Sequence, residues 1–393
     1  MQKDFHYYAT YCAAYLAGYS HEESLDICYC AQMVDWCSAT FLSKIKGPIE
    51  AATTQSSLEL ADTRTDIGGI QNITRIWSSF HFLPYDLYAK KNHCSRRYLM
   101  KYRLICNPNS DLLIETINQV KDEPLQAIGL SMHVLADTWA HRYFAGTPAL
   151  VINNTTNHFY EIIKTEDGEI ERKMTFRHSM STPDDFDKSI YSNSLYQSNE
   201  VSIMNVGHGR AGHLPDYSFI KYKYMPAWAE YEEIIKDNQS DYYSAFCQMV
   251  YAMKYLRGEY TDFEKDTYDS TSVEPWKDTI KIILAKRQHE KESCDDWKAF
   301  GEKLSGKEIC DFDMTKYQEE YINAPIDGKD NTFLGKFIIA ALKQKSMVTN
   351  RIFKSNNYLA GISVDHKKDG LRGIKAYFKL LNREGSKKHG KSK

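Results

Sequence analysis

A chain of 393 residues, 42% hydrophobic and 26% charged, has the length and composition of an ordinary globular protein, either one large domain or a domain with an appendage. No run reaches the roughly 18 consecutive apolar residues that span a bilayer, which excludes a membrane-spanning helix. The opening Met1-Gln2-Lys3-Asp4-Phe5-His6 lacks the basic, apolar, small-residue order of a secretory signal, so the expectation is a cytoplasmic protein. The nine cysteines agree, because they follow no disulfide framework spacing and form no C-x-x-C pair for a thiolate zinc site. The net charge of −2 conceals an asymmetry: residues 366–393 hold ten Lys/Arg against two acids, leaving 40 basic and 50 acidic side chains before them. Such a tail is either a solvated ending or a contact for polyanions.

Helical composition runs from His6 to Ala17 and stops at Gly18. Ser20-His21-Glu22-Glu23 is a capping box, and it opens a helix expected to run past Asp35 to about Ile45, where Gly47-Pro48 ends it. Residues 51–75, rich in Thr, Ser, Asp and Gly, read as a long loop. A short helix is expected over 111–121, and a longer one from Pro124 to about Phe144, with Asp122 and Glu123 at its positive end. Two apolar segments flank Asp167-Gly168, a hairpin signal that places a small β insertion over about 157–176. Residues 181–215 read as loop, helix resumes over about 226–257, and the polar stretch 258–275 is the best candidate boundary. The expected organisation is a helical core over 1–257, a helical C-terminal region over 276–365 and a basic tail over 366–393.

The chemistry concentrates in the segment Gly129 to His141. Helical spacing puts His133, Asp137 and His141 on one face, one turn apart. Their neighbours Leu130, Val134, Leu135, Trp139 and Ala140 make the other faces apolar, so this helix is expected to be buried nearly all round. A buried carboxylate between two imidazoles is costly unless something neutralises it. A divalent metal does so directly, since imidazole nitrogen and carboxylate oxygen are natural zinc ligands; a buried Asp hydrogen-bonded by two structural histidines is the plain alternative. Four further groups stand in odd settings: His6 on the first helix, Asp35 in the run Met33-Val34-Asp35-Trp36, His81 between aromatics in Phe80-His81-Phe82, and His208 with His213 in a glycine-rich loop ending at Asp216. Together they exceed what one tetrahedral site can use.

The His133-x-x-x-Asp137 helix with a histidine shortly after resembles the zinc-dependent phospholipase C and P1 nuclease superfamily. The blocks Asp4 to Tyr8, Val34-Asp35, Phe80 to Pro84, His133 to Gly146 and Gly207 to Asp216, spanning about residues 1–220, resemble more closely a bacterial family of unassigned function. The superfamily resemblance implies a compact all-helical core around three zinc ions that hydrolyse phosphomonoester or phosphodiester bonds; for this chain the expectation is a mainly α, multi-helix core with two or three. On that pattern Asp35, His81 and His133 hold one metal, Asp137 bridges to a second bound by His6, and His141 and His208 bind a third completed by His213 or Asp216. Two departures stand out. Secreted members chelate a metal through a processed N-terminal Trp, whose place here falls to Asp4 if to any residue, and the expected His-x-x-x-Glu of the third site is replaced by His208, His213 and Asp216.

Two metals would activate a water and stabilise the transition-state charge. Asp4 is a candidate to orient that water, and Arg142 and Arg210, beside the ligands, are candidates for a phosphate clamp or are supporting residues. The implied partner is a phosphate-containing substrate: a lipid headgroup, a nucleic acid or a small phosphoester. Two rivals remain. A distant HD-type phosphohydrolase needs an adjacent His-Asp pair, which the sequence lacks. A binding or scaffold protein with structural metal would close every coordination position.

Overall fold

The computed structural model describes residues 1–56, 58–60, 67–178, 182–192 and 207–361, so the basic tail lies outside the described residues. A π-helical turn over Asp4–Ala9 runs directly into α1 (Thr10–Leu16). Ser20 caps α2 (His21–Met33) through the reciprocal bonds of a capping box, as the sequence predicts. That helix then stops, where the sequence reading continued it to Ile45. Ser38 accepts from the Phe41 amide and starts a separate helix, α3 (Ala39–Lys44). The Thr53 hydroxyl donates to the carbonyl of Val34 at 2.6 Å, satisfying backbone that a continuing helix would have used. Asp35 therefore stands in a turn between two helices.

Within the expected loop 51–75, the described residues from 67 onward are helical. They begin the amphipathic α4 (Ile67–Phe80), in which Gly68-Gly69 is tolerated because Ile73, Ile76 and Phe80 face the core. Next come α5 (Arg96–Tyr102), α6 (Asp111–Asn118) and α7 (Leu125–Ala140), the helix that carries His133 and Asp137. Every residue of α7 from Gln126 to Ala140 is buried. At Gly129 the backbone of α2 comes so near that a β-carbon there would lie 2.2 Å from the Ile27 carbonyl oxygen. Only glycine permits that approach, and it sets the distance between α2 and His133 one turn later.

After the one-turn α8 (Leu150–Asn153), the hairpin forms as expected from β1 (Thr155–Thr165) and β2 (Gly168–Lys173). It is part of something larger. The short strands β3 (Phe176–Arg177) and β4 (Ile190–Tyr191) pair in parallel, while β5 (Lys221–Pro226) and β6 (Ile234–Asp237) extend the hairpin into an antiparallel sheet of order β2-β1-β5-β6. Helix was expected from about 226; instead β6 occupies 234–237, and the helix α9 (Asn238–Leu256) starts only where Asp237 caps it. Just before it, β5 shows alternation: Tyr222 and Tyr224 are buried while Lys221 and Lys223 are not, a period of two that tyrosines conceal.

The C-terminal helices are α10 (Lys277–Ala285), α11 (Glu290–Ser305), α12 (Gln318–Asn323) and α13 (Phe333–Lys354). One apolar core joins them to the first helices, with Phe5 and Phe246 both against Trp297 of α11. Phe263 and Val273, inside the polar stretch 258–275, are buried in this same core. A second, smaller core lies under the sheet and contains Phe82, Phe144, Phe159, Leu214, Tyr217, Tyr222 and Tyr224. Phe80 belongs to the first core and Phe82 to the second, so His81 sits on the seam between them. The fold is mainly helical, and among the described residues no helix is long and apolar enough to cross a membrane.

Candidate metal centre

Three groups of ligand-type side chains meet at the seam: His6, His133 and Asp137; Asp35, His81 and His133; and His141, His208 and Asp216. His133 belongs to two of them, and Asp137 touches all three. Its Oδ2 lies 3.1 Å from both His133 Nε2 and His81 Nδ1 and 3.5 Å from His141 Nδ1, while Oδ1 lies 3.2 Å from His6 Nε2. The inner nitrogens of His81 and His133 are 3.2 Å apart. Asp35 Oδ1 stands 3.9 Å from each of them. Asp216 Oδ1 is 3.7 Å from His208 Nε2 and 3.8 Å from His141 Nε2.

The outer edges of these rings decide what the inner edges can do. His133 Nδ1 is 2.9 Å from the Ala31 carbonyl, His81 Nε2 is 3.0 Å from that of Thr53, His141 Nδ1 is 2.8 Å from that of His81, and His208 Nδ1 is 2.8 Å from that of Gly212. A carbonyl only accepts, so each of those nitrogens carries the ring's proton. Four lone pairs are thereby turned inward, towards one another and towards the carboxylates of Asp137 and Asp216. This is how protein carbonyls orient histidines that bind metal. Burial pushes His6, His133 and His141 down to about 4 and lowers His208, which keeps these imidazoles in the neutral, ligating form. His6 is fully buried, stacked on His133 at 3.8 Å, and neither of its nitrogens makes a hydrogen bond.

Acceptors facing acceptors at 3.1–3.2 Å repel unless a cation stands among them. One does so on one side. The α-amine of Met1 is 3.0 Å from Asp137 Oδ1, 3.4 Å from His141 Nε2 and 3.6 Å from Asp216 Oδ1. Burial works against its charge, but these carboxylates prevail and raise it to about 10. It does not reach between His81, His133 and Asp35. A divalent ion suits these donors chemically: zinc bonds of about 2.0–2.1 Å place tetrahedral ligand atoms about 3.3–3.4 Å apart, a value that lies between the 3.2 Å separating His81 from His133 and the 3.9 Å from each to Asp35.

The remaining sequence candidates go elsewhere. Asp4 accepts from Ser293 Oγ at 2.6 Å and from the Phe5 amide at 2.8 Å, and burial lifts its carboxyl to about 6. Arg142 donates to Asp241 Oδ1 at 2.9 Å and to the Tyr143 hydroxyl at 2.7 Å, so its guanidinium is engaged away from the centre. His213 does not join Asp216 in the third group; its Nδ1 lies 2.7 Å from Asp184 Oδ2. Arg210 sits in the turn Gly209–Ala211 next to His208. Sequence reasoning missed Asp184, which has no signal beyond following Pro183 in a loop, and the Met1 amine, because only the folded chain shows where the terminus lies.

The first 352 residues match one family, described as a family of unknown function (DUF6765). The chain belongs to that family. No curated protein and no solved structure matches it. Every residue of the three groups lies inside the stretch that DUF6765 covers.

Proposed function

We propose that this member of DUF6765 is a metal-dependent hydrolase of phosphoesters, with two or three zinc ions held by His6, Asp35, His81, His133, Asp137, His141, His208 and Asp216. The observation that carries the reading is the inward set of lone pairs, fixed by four backbone carbonyls around Asp137. Ions bound there would supply Lewis acidity, activating water and neutralising charge on phosphoryl oxygens. The protein's part is to hold eight donors still. Helices α2, α4 and α7 and the first turn do so for the deep ligands, and the 207–216 turns do so for the outer ones. The carboxylate of Asp35 is 31% exposed, His208 20% and Asp216 12%, whereas His6, His133 and Asp137 are closed off. A substrate therefore reaches the centre along its Asp35 or Asp216 edge, while the deep group between them resembles a site that only holds structure.

Arrangement and resemblance support phosphoester hydrolysis rather than a wholly structural centre, because structural zinc is closed by protein ligands on every side. The test is metal content of the purified full-length chain by mass spectrometry, beside His133→Ala and Asp137→Asn. Two or three zinc ions per chain are expected, falling by at least one in His133→Ala and further in Asp137→Asn. A chain that holds none after purification without chelator ends the proposal. A chain that holds metal but cleaves neither p-nitrophenyl phosphate nor bis-p-nitrophenyl phosphate favours the structural role.

A further inference from the structure

Beside the third ligand group lies a cleft of about 420 Å³ whose walls include Gln2, Thr182, Tyr191, His213, Tyr217 and Lys291. Its walls are chain neighbours of the centre. Gln2 follows Met1, whose amine contacts Asp137 and Asp216, and Asp216 lies in the turn between His213 and Tyr217. The cleft is of the size that takes a small ligand, and its walls combine the rings of Tyr191 and Tyr217 with the polar ends of Gln2, His213 and Lys291.

His213 is held in it in one orientation. Its Nδ1 faces Asp184 Oδ2 at 2.7 Å, and Asp184 is itself fixed by three more donors: the Tyr217 hydroxyl at 2.6 Å, the Tyr191 amide at 2.6 Å and Arg177 Nη2 at 2.9 Å. Asp184 is buried, so this carboxylate has no freedom left and holds the imidazole in one orientation. The ring is 38% exposed, and among the described residues its Nε2 has no partner. A hydroxyl is the group that suits Nε2 in either protonation state, because a hydroxyl both donates and accepts.

We propose that this cleft is the subsite for the alcohol portion of the substrate. It selects phosphoesters whose alcohol bears further free hydroxyls, polyol or sugar phosphates, over those whose alcohol is a bare alkyl chain. His213 Nε2 binds one such hydroxyl, and Asp184 is the positioning residue behind it. The assignment rests on the phosphoester reading of the neighbouring centre and adds the substrate class to it. Discrimination follows because an alkyl group against His213 leaves its Nε2 unpaired, whereas a hydroxyl replaces the water it loses.

Glycerol 3-phosphate and propyl phosphate differ only in two hydroxyls and make the test. Calorimetric titration of each into the zinc-loaded full-length chain should show glycerol 3-phosphate binding about tenfold tighter. The ratio should fall to near one in His213→Phe and be reduced in Asp184→Asn, with zinc content unchanged and both variants folded by circular dichroism. His213→Asn, which keeps a polar tip, should retain part of the preference and serves if the phenylalanine variant does not fold. Equal binding of the two ligands, a ratio that survives His213→Phe, or no binding of either overturns the subsite. Zinc measured on the same samples tells the two proposals apart: a normal zinc content with a ratio of one removes the subsite and leaves the centre. A zinc-free chain that keeps the ratio removes the centre and leaves the subsite.

Discussion

The two sides of the seam hold histidines by different means. On the helical side, the rings of His81 and His133 lean on carbonyls of Thr53 and Ala31, and Gly129 fixes the α2–α7 spacing on which the second of these depends. On the sheet side, the histidines come from turns: His208 leans on Gly212 of its own loop, and His213 leans on a side chain, Asp184. A carbonyl neutralises no charge and leaves an imidazole neutral for a metal. A buried carboxylate favours a proton on the ring, and His213 is accordingly raised above its ordinary value, by its bond to Asp184 and by Asp216 and against its burial, while His208 is lowered by burial. Two histidines five residues apart are thus prepared for different tasks.

Breaking the sheet side should have the larger effect on the outer ligands alone. Gly207 has φ of +63°, and a β-carbon there would fall 1.9 Å from the Phe82 ring, which stacks on His141 at 4.6 Å. Gly207→Ala must therefore shift either the loop or that ring. The expected outcome is a chain that loses about one zinc, keeps the ions of the helical side, and unfolds about 2–3 kcal/mol more easily. An unchanged stoichiometry would mean that His208 is not a ligand.

The helical side offers the opposite experiment, a stabilising change. Lys345 of α13 is buried, with its Nζ donating to the Glu50 carbonyl at 2.6 Å, and burial together with Arg75 depresses it to about 7. Its folded value lies below its unfolded one, so the unfolded chain binds the proton more tightly between pH 7 and about 10.5. The cost of burying the charge is fully present below pH 7 and fades as the pH rises through that window. Lys345→Met should raise stability by about 2 kcal/mol at pH 6, much less at pH 9, and leave the zinc content alone. Urea unfolding at the two pH values checks both the sign and the trend. The smallest effect belongs to Ser20→Ala, which removes one half of the α2 capping box and should cost about 1 kcal/mol with no change in metal.

What could be read before folding was local and periodic. The His133, Asp137 and His141 face follows from helical geometry alone, the start of α2 from Ser20 and Glu23, and the hairpin from Asp167-Gly168. Where the reading failed, a second cap or a partner outside the element competed with the expected helix. Thr53 and Ser38 end a helix that composition would have carried to Ile45, and that break is what turns Asp35 towards His81. The alternating tyrosines of β5 hid a strand because tyrosine suits both a core and a surface.

The sequence by itself determined which residue types could form the centre and that one helix would carry its axis, because side-chain periodicity is set by the backbone within a few residues. Only the tertiary structure decided which candidates meet. It sent Asp4 to Ser293, Arg142 to Asp241 and His213 to Asp184, and it brought the Met1 amine to Asp137. The physical reason is that these choices depend on burial and on backbone carbonyls. Every residue carries a carbonyl, so its sequence position says nothing about which imidazole it will hold.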